Sequence, residues 1–286
     1  MVIDILVALA VIYVFLLAIV YFAQTRLIFP AGRTLFASPA DYGWEYEDVE
    51  ASVDGHITHG WWVPAENARG VMLFSHGNGG ALSHRLEVVG FWREQGMSVL
   101  VYDYGGYGRS AGRPSEARCY ADGRAMWRYL TETKRIAPEQ IILYGRSLGG
   151  GVAIQLAREV DCAGLIVESS FRSVAAMARR SYPIFPVKAL LRHHFDNEAK
   201  IADIHLPVLI AHSLDDSVVP FAHGQALYEL ANDPKTFVRL AGDHNDGVTQ
   251  FSRAARRAFE TFLDSTLPES SANQAQPASR TPDIVP

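Results

Sequence analysis

Residues 141–151 read I-I-L-Y-G-R-S-L-G-G-G, and the fold can be worked out from this stretch. The apolar run 141–144 predicts a short buried strand. The pattern G-x-S-x-G follows directly and is typical of a sharp turn from a strand into a helix. Glycines two positions before and after Ser147 leave room where bulky neighbours would clash. We predict that Ser147 stands at the strand's carboxyl end, and that Gly150 and Gly151 let the helix pack closely on the sheet. An ordinary exposed serine in a glycine-rich turn is the alternative.

Length and composition indicate one large α/β domain with appendages, because 286 residues can bury a sizeable core. Hydrophobic residues make up 49% and charged residues 20% of the chain, which suits a globular body with an attached apolar segment. The net charge of −5 gives no indication of nucleic-acid binding. The two cysteines, Cys119 and Cys162, form no C-x-x-C motif, and a domain of this size needs no disulfide.

The N-terminal segment is a candidate membrane anchor. Residues 5–23 carry no charge, and as a helix they would span about 28 Å, close to the roughly 30 Å of a bilayer core. Asp4 precedes the run where a signal peptide would carry Lys or Arg, and no small-x-small cleavage site follows. We expect an uncleaved single-pass anchor over 1–25, with a buried core helix as the alternative. Arg26 and Arg33 follow the run, so the positive-inside bias favours a cytoplasmic catalytic domain.

Alternating strand and helix patterns predict the rest of the architecture, from 26 to 266. Strands are predicted at 46–53, 57–63, 71–75, 98–104, 141–144, 164–168, 208–212 and 236–240, and helices at 82–94, 116–133, after Ser147 and at 249–263. This order implies a mostly parallel central sheet with helices on both faces, led by an antiparallel hairpin. Ligands of such sheets bind at the carboxyl ends of the strands, where Ser147 would lie.

Two further segments differ from this alternation. Residues 171–205, called the excursion below, carry six Lys or Arg against three acidic residues. We interpret the excursion as a small helical lid over the site, with a solvated connecting helix pair as the alternative. Residues 267–286 are rich in Pro, Ser, Ala and Gln and are predicted to be disordered.

A serine hydroxyl needs a base to become nucleophilic, and the base needs a partner that orients it. After a G-x-S-x-G serine, the acid and then the histidine follow along the chain. His244 comes just after the strand at 236–240. Asp216 follows the strand at 208–212 and fits the spacing D-x-x-V-P, while the neighbouring Asp215 remains an alternative acid. The sequence therefore predicts Ser147, His244 and Asp216 as nucleophile, base and acid.

Two backbone N–H groups are candidates for stabilising an oxyanion: that of Leu148 after the serine, and that of Asn78 in the run H-G-N-G-G at 76–80. His76 is expected to be a structural hydrogen-bonding residue, because it precedes the nucleophile. The run 106–111 matches G-x-G-x-x-A, but no helix is predicted to start within it, which argues against a dinucleotide site. We find no metal-binding motif and expect no metal or other cofactor.

Together these motifs resemble the α/β-hydrolase superfamily over roughly 46–263. They are S-H-G-N-G at 75–79, Y-D-Y-G-G-Y-G-R-S at 102–110, G-R-S-L-G-G at 145–150, D-S-V-V-P at 216–220 and G-D-H-N-D at 242–246. Within the superfamily the chain is similar to the Bem46-like group, which includes α/β-hydrolase domain-containing proteins 13 and 17. The resemblance implies the same triad of Ser147, Asp216 and His244, oxyanion donors at Asn78 and Leu148, and hydrolysis of esters, thioesters or lipids. Relatives that depalmitoylate proteins carry an N-terminal cysteine cluster, which this chain lacks, so that substrate does not transfer.

The sequence thus predicts a membrane-anchored serine hydrolase that cleaves ester or thioester bonds of small acyl or lipid-like substrates. A serine peptidase or amidase is one alternative. A non-catalytic binding scaffold that kept the fold is another.

Overall fold

The computed structural model describes residues 1–182, 184–246 and 251–267 of the chain. Runs rich in Val, Ile, Leu and aromatic residues form an eight-stranded sheet. Its strands are β1 Glu47–Val53, β2 His56–Val63, β3 Gly70–Ser75, β4 Met97–Tyr102, β5 Ile141–Arg146, β6 Gly164–Glu168, β7 Val208–Ser213 and β8 Lys235–Leu240. The spatial order is β1-β2-β4-β3-β5-β6-β7-β8. The first two pairings are antiparallel and the other five are parallel, which confirms the predicted sheet and its leading hairpin.

Eight α-helices accompany the sheet in the described residues. They are α1 Val2–Ile28, α2 Leu86–Glu94, α3 Glu116–Arg128, α4 Leu148–Ala157, α5 Val174–Ser181, α6 Val187–Leu190, α7 Phe221–Leu230 and α8 Arg253–Thr266. The predicted helix 82–94 begins as a 3-10 turn, and the predicted helix 116–133 ends in a π-helical turn. Helix α7 was not predicted. Ser115 caps α3, since its hydroxyl oxygen accepts the Arg118 N–H at 3.1 Å.

Apolar side chains form one core on each face of the sheet. One core includes α3, α4 and α7, and the other includes α2 and α8. Ala255, Phe259 and Phe262 form the buried face of α8, as its sequence period predicts. Both faces of the central parallel strands are therefore covered, which explains their nearly continuous apolar sequences. The predicted disordered tail, apart from its buried first residue Leu267, and the first residues of the predicted last helix lie outside the described residues.

Helix α1 has the length and apolar composition needed to cross a membrane. Its 27 residues correspond to about 40 Å, and its most apolar stretch is not buried against the rest of the chain, so it is not a core helix. Part of the excursion packs along it. The Tyr13 hydroxyl donates to the Ile184 carbonyl at 2.9 Å, and the Gln24 amide donates to the Leu190 carbonyl at 3.1 Å. The excursion is therefore joined to the helix that was expected to act as a separate anchor.

Candidate active site

Ser147 lies at the junction of β5 and α4 in a backbone conformation that non-glycine residues rarely adopt. Its φ is 53° and its ψ is −119°, with α4 starting at the next residue. The surrounding glycines are required by close contacts. A Cβ on Gly149 would overlap the Ser75 carbonyl oxygen, and a Cβ on Gly145 would overlap the Gly149 carbonyl oxygen. Gly150 allows close approach to Ser170, two residues after the end of β6. Such a strained turn is maintained only when its surroundings fix it, as they do here.

The carboxyl ends of β5, β7 and β8 bring three side chains into one hydrogen-bonded chain. The Ser147 Oγ lies 3.1 Å from Nε2 of His244. The other ring nitrogen, Nδ1, lies 2.8 Å from Oδ2 of Asp216. Ser147 is half-buried, whereas Asp216 and His244 are buried. The structure therefore brings together the three residues that the sequence selected, although they are 28 to 97 positions apart.

Backbone donors fix the carboxylate of Asp216. Its Oδ1 accepts the N–H groups of Val218 at 3.0 Å and Val219 at 2.7 Å, while Oδ2 faces His244. Nε2 of His212 lies 3.4 Å from the same Oδ2 and donates to the Val219 carbonyl at 2.8 Å. Burial alone would raise the pKa of Asp216, but the hydrogen bonds from His212, His244 and Val219 outweigh it and hold the pKa well below its ordinary value. The carboxylate is therefore ionised and held in one orientation.

Asp215, the alternative acid, is placed differently. The residue is exposed, and only its backbone N–H makes a hydrogen bond, to the Ser213 hydroxyl at 3.2 Å. In the described part of the chain its carboxylate has no hydrogen-bond partner. Of the two neighbouring acids, Asp216 is the one whose side chain contacts His244.

Asp243 ties the loop of the acid to the loop of the histidine. Its Oδ1 accepts the N–H of Ser217 and that of His244, both at 2.7 Å, and its Oδ2 accepts the Ser217 hydroxyl at 2.9 Å. These donors hold the pKa of the Asp243 carboxyl below its ordinary value. Sequence reasoning missed this contact, although Asp243 directly precedes the predicted base.

Arg146, at the x position before the serine in G-x-S-x-G, makes a second contact that was not predicted. Its guanidinium donates to the His244 carbonyl at 2.7 Å and forms an ion pair with Glu168 at 3.0 Å. Glu168 is buried, and its second oxygen accepts the Tyr144 hydroxyl at 2.6 Å. Burial alone would lower the pKa of Arg146, but the Glu168 carboxylate more than offsets it, so the pKa lies above its ordinary value. The signal was available, because Arg146 and Glu168 are register partners at the ends of adjacent parallel strands.

The candidate oxyanion donors lie beside the serine. A Cβ on Gly77 would stand 3.4 Å from the Ser147 Cβ, so the loop after β3 passes next to the hydroxyl. Asn78 is held from two sides: its side-chain amide donates to the Ile28 carbonyl at 3.2 Å, and its carbonyl accepts the Tyr107 hydroxyl at 2.7 Å. Within the described residues, neither the Asn78 N–H nor the Leu148 N–H has a hydrogen-bond acceptor. Both donors are free for a ligand oxygen.

His76 is buried and makes structural contacts. Its Nδ1 lies 2.6 Å from the Gly77 carbonyl, and its Nε2 lies 3.4 Å from the buried carboxylate of Asp103. Burial lowers the pKa of His76 and favours the neutral ring. In the described part of the chain it makes no hydrogen bond to Ser147, Asp216 or His244. Among the described residues, no group of three or more His, Cys, Asp or Glu is arranged to hold a metal ion. No helix starts inside the run 106–111 either, because α3 begins at Glu116.

A mostly parallel sheet with a strained serine at the end of one of its inner strands is typical of an α/β hydrolase, and comparison with known proteins agrees. The family model described as serine aminopeptidase, S33, matches residues 66–197. That range contains Ser147 but not Asp216 or His244. An uncharacterized membrane protein of Saccharomyces cerevisiae is 31% identical over 246 residues, covering 82% of this chain and 87% of the relative.

Two further comparisons agree with this assignment. Alpha/beta hydrolase domain-containing protein 17C of Mus musculus is 35% identical over 212 residues, covering 72% of this chain and 63% of the mouse protein. The solved structure of the Pyrococcus furiosus esterase Pf2001 superposes with a TM-score of 0.70 at 20% identity, covering 83% of this chain and 99% of that one. The chain belongs to the α/β-hydrolase superfamily, and its resemblance to the group that includes domain-containing protein 17 is confirmed.

Proposed function

We propose that this protein is a membrane-anchored serine hydrolase that cleaves carboxylic ester or thioester bonds of acyl or lipid-like substrates. The observation that carries the proposal is the hydrogen-bonded chain from Ser147 through His244 to Asp216, with distances of 3.1 and 2.8 Å. Distances of this size are within reach of direct proton transfer. A strained turn that presents the serine beside two unoccupied N–H groups adds a place for a developing negative charge.

In this proposal each residue has one role. His244 takes the proton of Ser147 at Nε2 while Oγ attacks the acyl carbon, and the N–H groups of Asn78 and Leu148 stabilise the oxyanion. The protonated ring then donates its Nε2 proton to the leaving oxygen or sulfur, which departs and leaves an acyl-enzyme. Water attacks this ester, again with His244 as base, and releases the acid and Ser147. Asp216 keeps the ring proton on Nδ1 and stabilises the imidazolium.

The membrane part of the proposal rests on α1 and on the yeast relative, whose name describes a membrane protein. Arg26 and Arg33 follow the apolar run, which favours a cytoplasmic position for the catalytic domain. Protease digestion of sealed vesicles tests the orientation. Cleavage of the catalytic domain only after the cytoplasmic face is exposed supports it, and cleavage from the opposite face contradicts it.

Esters are favoured over amides by the esterase named among the structural neighbours. A serine aminopeptidase is the second candidate, because the matched family model carries that description. The two are separated by comparing nitrophenyl acyl esters with aminoacyl nitroanilides under the same conditions. Higher kcat/KM for the esters supports the first proposal, and higher kcat/KM for the anilides supports the second.

A fluorophosphonate probe, which reacts covalently with activated serines, tests the catalytic assignment. We expect it to label the full-length protein in detergent, and Ser147→Ala to abolish labelling and lower ester turnover by several orders of magnitude. Ser52→Ala removes an exposed hydroxyl from β1 and is the matched control, with unchanged labelling. Labelling retained in Ser147→Ala would contradict the assignment of Ser147 as the nucleophile. An unlabelled, inactive wild-type protein would instead favour the binding scaffold.

A further inference from the structure

An apolar cavity of about 280 Å³ lies between α1 and the excursion. Its walls include Val20, Leu27 and Ile28 of α1 and Val174, Met177 and Ala178 of α5. Two of its lining side chains carry polar groups, Gln24 and Tyr182, and the amide group of Gln24 is occupied. Its nitrogen donates to the carbonyls of Tyr21 and Leu190, and its oxygen accepts the Arg192 N–H. The cavity therefore offers apolar surface and suits a hydrocarbon group.

Two sets of contacts place this cavity close to the candidate nucleophile. Ile28 lines the cavity, and its carbonyl accepts the side-chain amide of Asn78, whose N–H is the proposed oxyanion donor. On the other side, the Ser170 hydroxyl donates to the Ser147 carbonyl at 2.8 Å, and Val174 follows four residues later on the cavity wall. Leu148 belongs to the same buried apolar cluster as Val174. These connections place the nucleophile and a proposed oxyanion donor within one hydrogen bond and a few residues of the cavity wall.

The cavity also lies next to the surface that a membrane would cover. From Gln24 towards the N-terminus of α1, the excursion continues along the helix as far as Tyr13. The Tyr13 ring lies 6.0 Å from that of Phe185. Eleven residues separate Gln24 from Tyr13, which is about 16 Å along the helix axis. The tip of the excursion exposes Ile184 at 70% and Tyr182 at 42%. If α1 crosses a bilayer, this apolar tip enters the same leaflet, because it lies beside the same stretch of helix.

We propose that this cavity holds the acyl chain of the substrate, so that the membrane helix itself forms one wall of the substrate site. The inference rests on the proposed function and specifies its substrate class as esters or thioesters of extended acyl chains. The volume is near the lower end for ligand pockets and has room for one chain rather than two. The chain enters from the bilayer between α1 and the tip of the excursion, while the carbonyl reaches Ser147.

A panel of nitrophenyl esters of increasing chain length tests the cavity in the full-length protein. Each methylene that enters an apolar site should raise kcat/KM about fourfold, until the cavity is full. Ala178→Trp fills the cavity from α5, and we expect it to lower the ratio of kcat/KM for dodecanoyl over butyryl esters at least tenfold. Ala176→Trp is the matched control, because it lies on the same helix about 200° away and does not line the cavity. An unchanged ratio in Ala178→Trp would overturn the assignment.

Two further experiments distinguish a wrongly assigned cavity from a wrong proposed function and from a misfolded excursion. Val20→Trp fills the same cavity from α1 and should lower the same ratio, which a local defect in the excursion would not explain. A palmitic acid carrying a photoreactive diazirine, bound to Ser147→Ala in phosphatidylcholine vesicles, should crosslink to peptides of α1 and α5. Crosslinks without ester hydrolysis by the wild type would refute the proposed function but keep the cavity. Hydrolysis with crosslinks elsewhere would refute the cavity alone.

Discussion

Replacing Asp216, the proposed acid of the triad, by asparagine gives a specific prediction. The neighbouring Asp215 provides the control position. In the wild type, the N–H groups of Val218 and Val219 donate to Oδ1 of Asp216. In Asp216→Asn the amide oxygen can still accept these two N–H groups. Its NH₂ group must then face Nδ1 of His244 in place of Oδ2. The ring responds by accepting at Nδ1 and carrying its proton on Nε2. In that tautomer the ring cannot accept the proton of Ser147.

The expected loss of kcat follows from this change of tautomer in His244. A histidine locked in the wrong tautomer lowers kcat about 10⁴-fold in serine hydrolases of this design, equivalent to roughly 5.5 kcal/mol in the barrier. KM should change little, because Asp216 lies behind the histidine and does not contact the substrate. Asp215→Asn makes the same chemical change one residue earlier, on an exposed side chain, and should keep kcat within about twofold.

Steady-state hydrolysis of a nitrophenyl ester by the two variants and the wild type measures both values, with circular dichroism as the folding check. The reasoning is refuted if a folded Asp216→Asn protein keeps more than a tenth of wild-type kcat. It is also refuted if Asp215→Asn shows the larger loss.

Three further perturbations test the site and its support. Gly149→Ala should destabilise the fold by about 3 kcal/mol in urea unfolding, because its Cβ would overlap a backbone carbonyl of β3. Gly79→Ala, whose Cβ meets nothing within 4 Å, should be neutral. Arg146→Met should lower kcat and cost about 3–5 kcal/mol of stability, because Glu168 stays buried without its partner. Adding Glu168→Gln should restore stability but not kcat, because the bond from Arg146 to the His244 carbonyl is still missing. Recovery of kcat would contradict a role of Arg146 in positioning His244. The folded-state pKa of Asp216 is depressed, so the stability advantage of the wild type over Asp216→Asn should be fully present above about pH 4 and be lost as the pH falls further. An advantage independent of pH would contradict this.

Much of the fold was predictable because local patterns and sheet topology agree. Buried strands read as apolar runs, and the glycines around Ser147 mark a turn that only small neighbours permit. Since parallel strands end at one edge of a sheet, residues that follow β5, β7 and β8 had to be close in space. The choice between Asp215 and Asp216 depended on one residue of spacing, and only the Asp216 side chain contacts His244.

Two of the contacts that the sequence did not reveal join side chains to backbone carbonyls far away in the chain. The bond from Arg146 to the His244 carbonyl spans 98 residues, and the bond from Gln24 to the Leu190 carbonyl spans 166. A carbonyl acceptor exists at every residue, so no residue type marks it in a sequence. For the same reason the anchor was expected to end at 25 as a separate unit, whereas α1 continues to Ile28 and packs on the excursion.

The proposed function depends on the acylation of Ser147 during turnover, and this step can be measured by trapping the acyl group. A long-chain nitrophenyl ester is mixed with the full-length protein, acid-quenched during the first turnover, and the peptides are sequenced by tandem mass spectrometry. The account predicts up to one acyl group per chain, located on Ser147 and missing from Ser147→Ala. Acylation of another residue, or hydrolysis at full rate in Ser147→Ala, would contradict it.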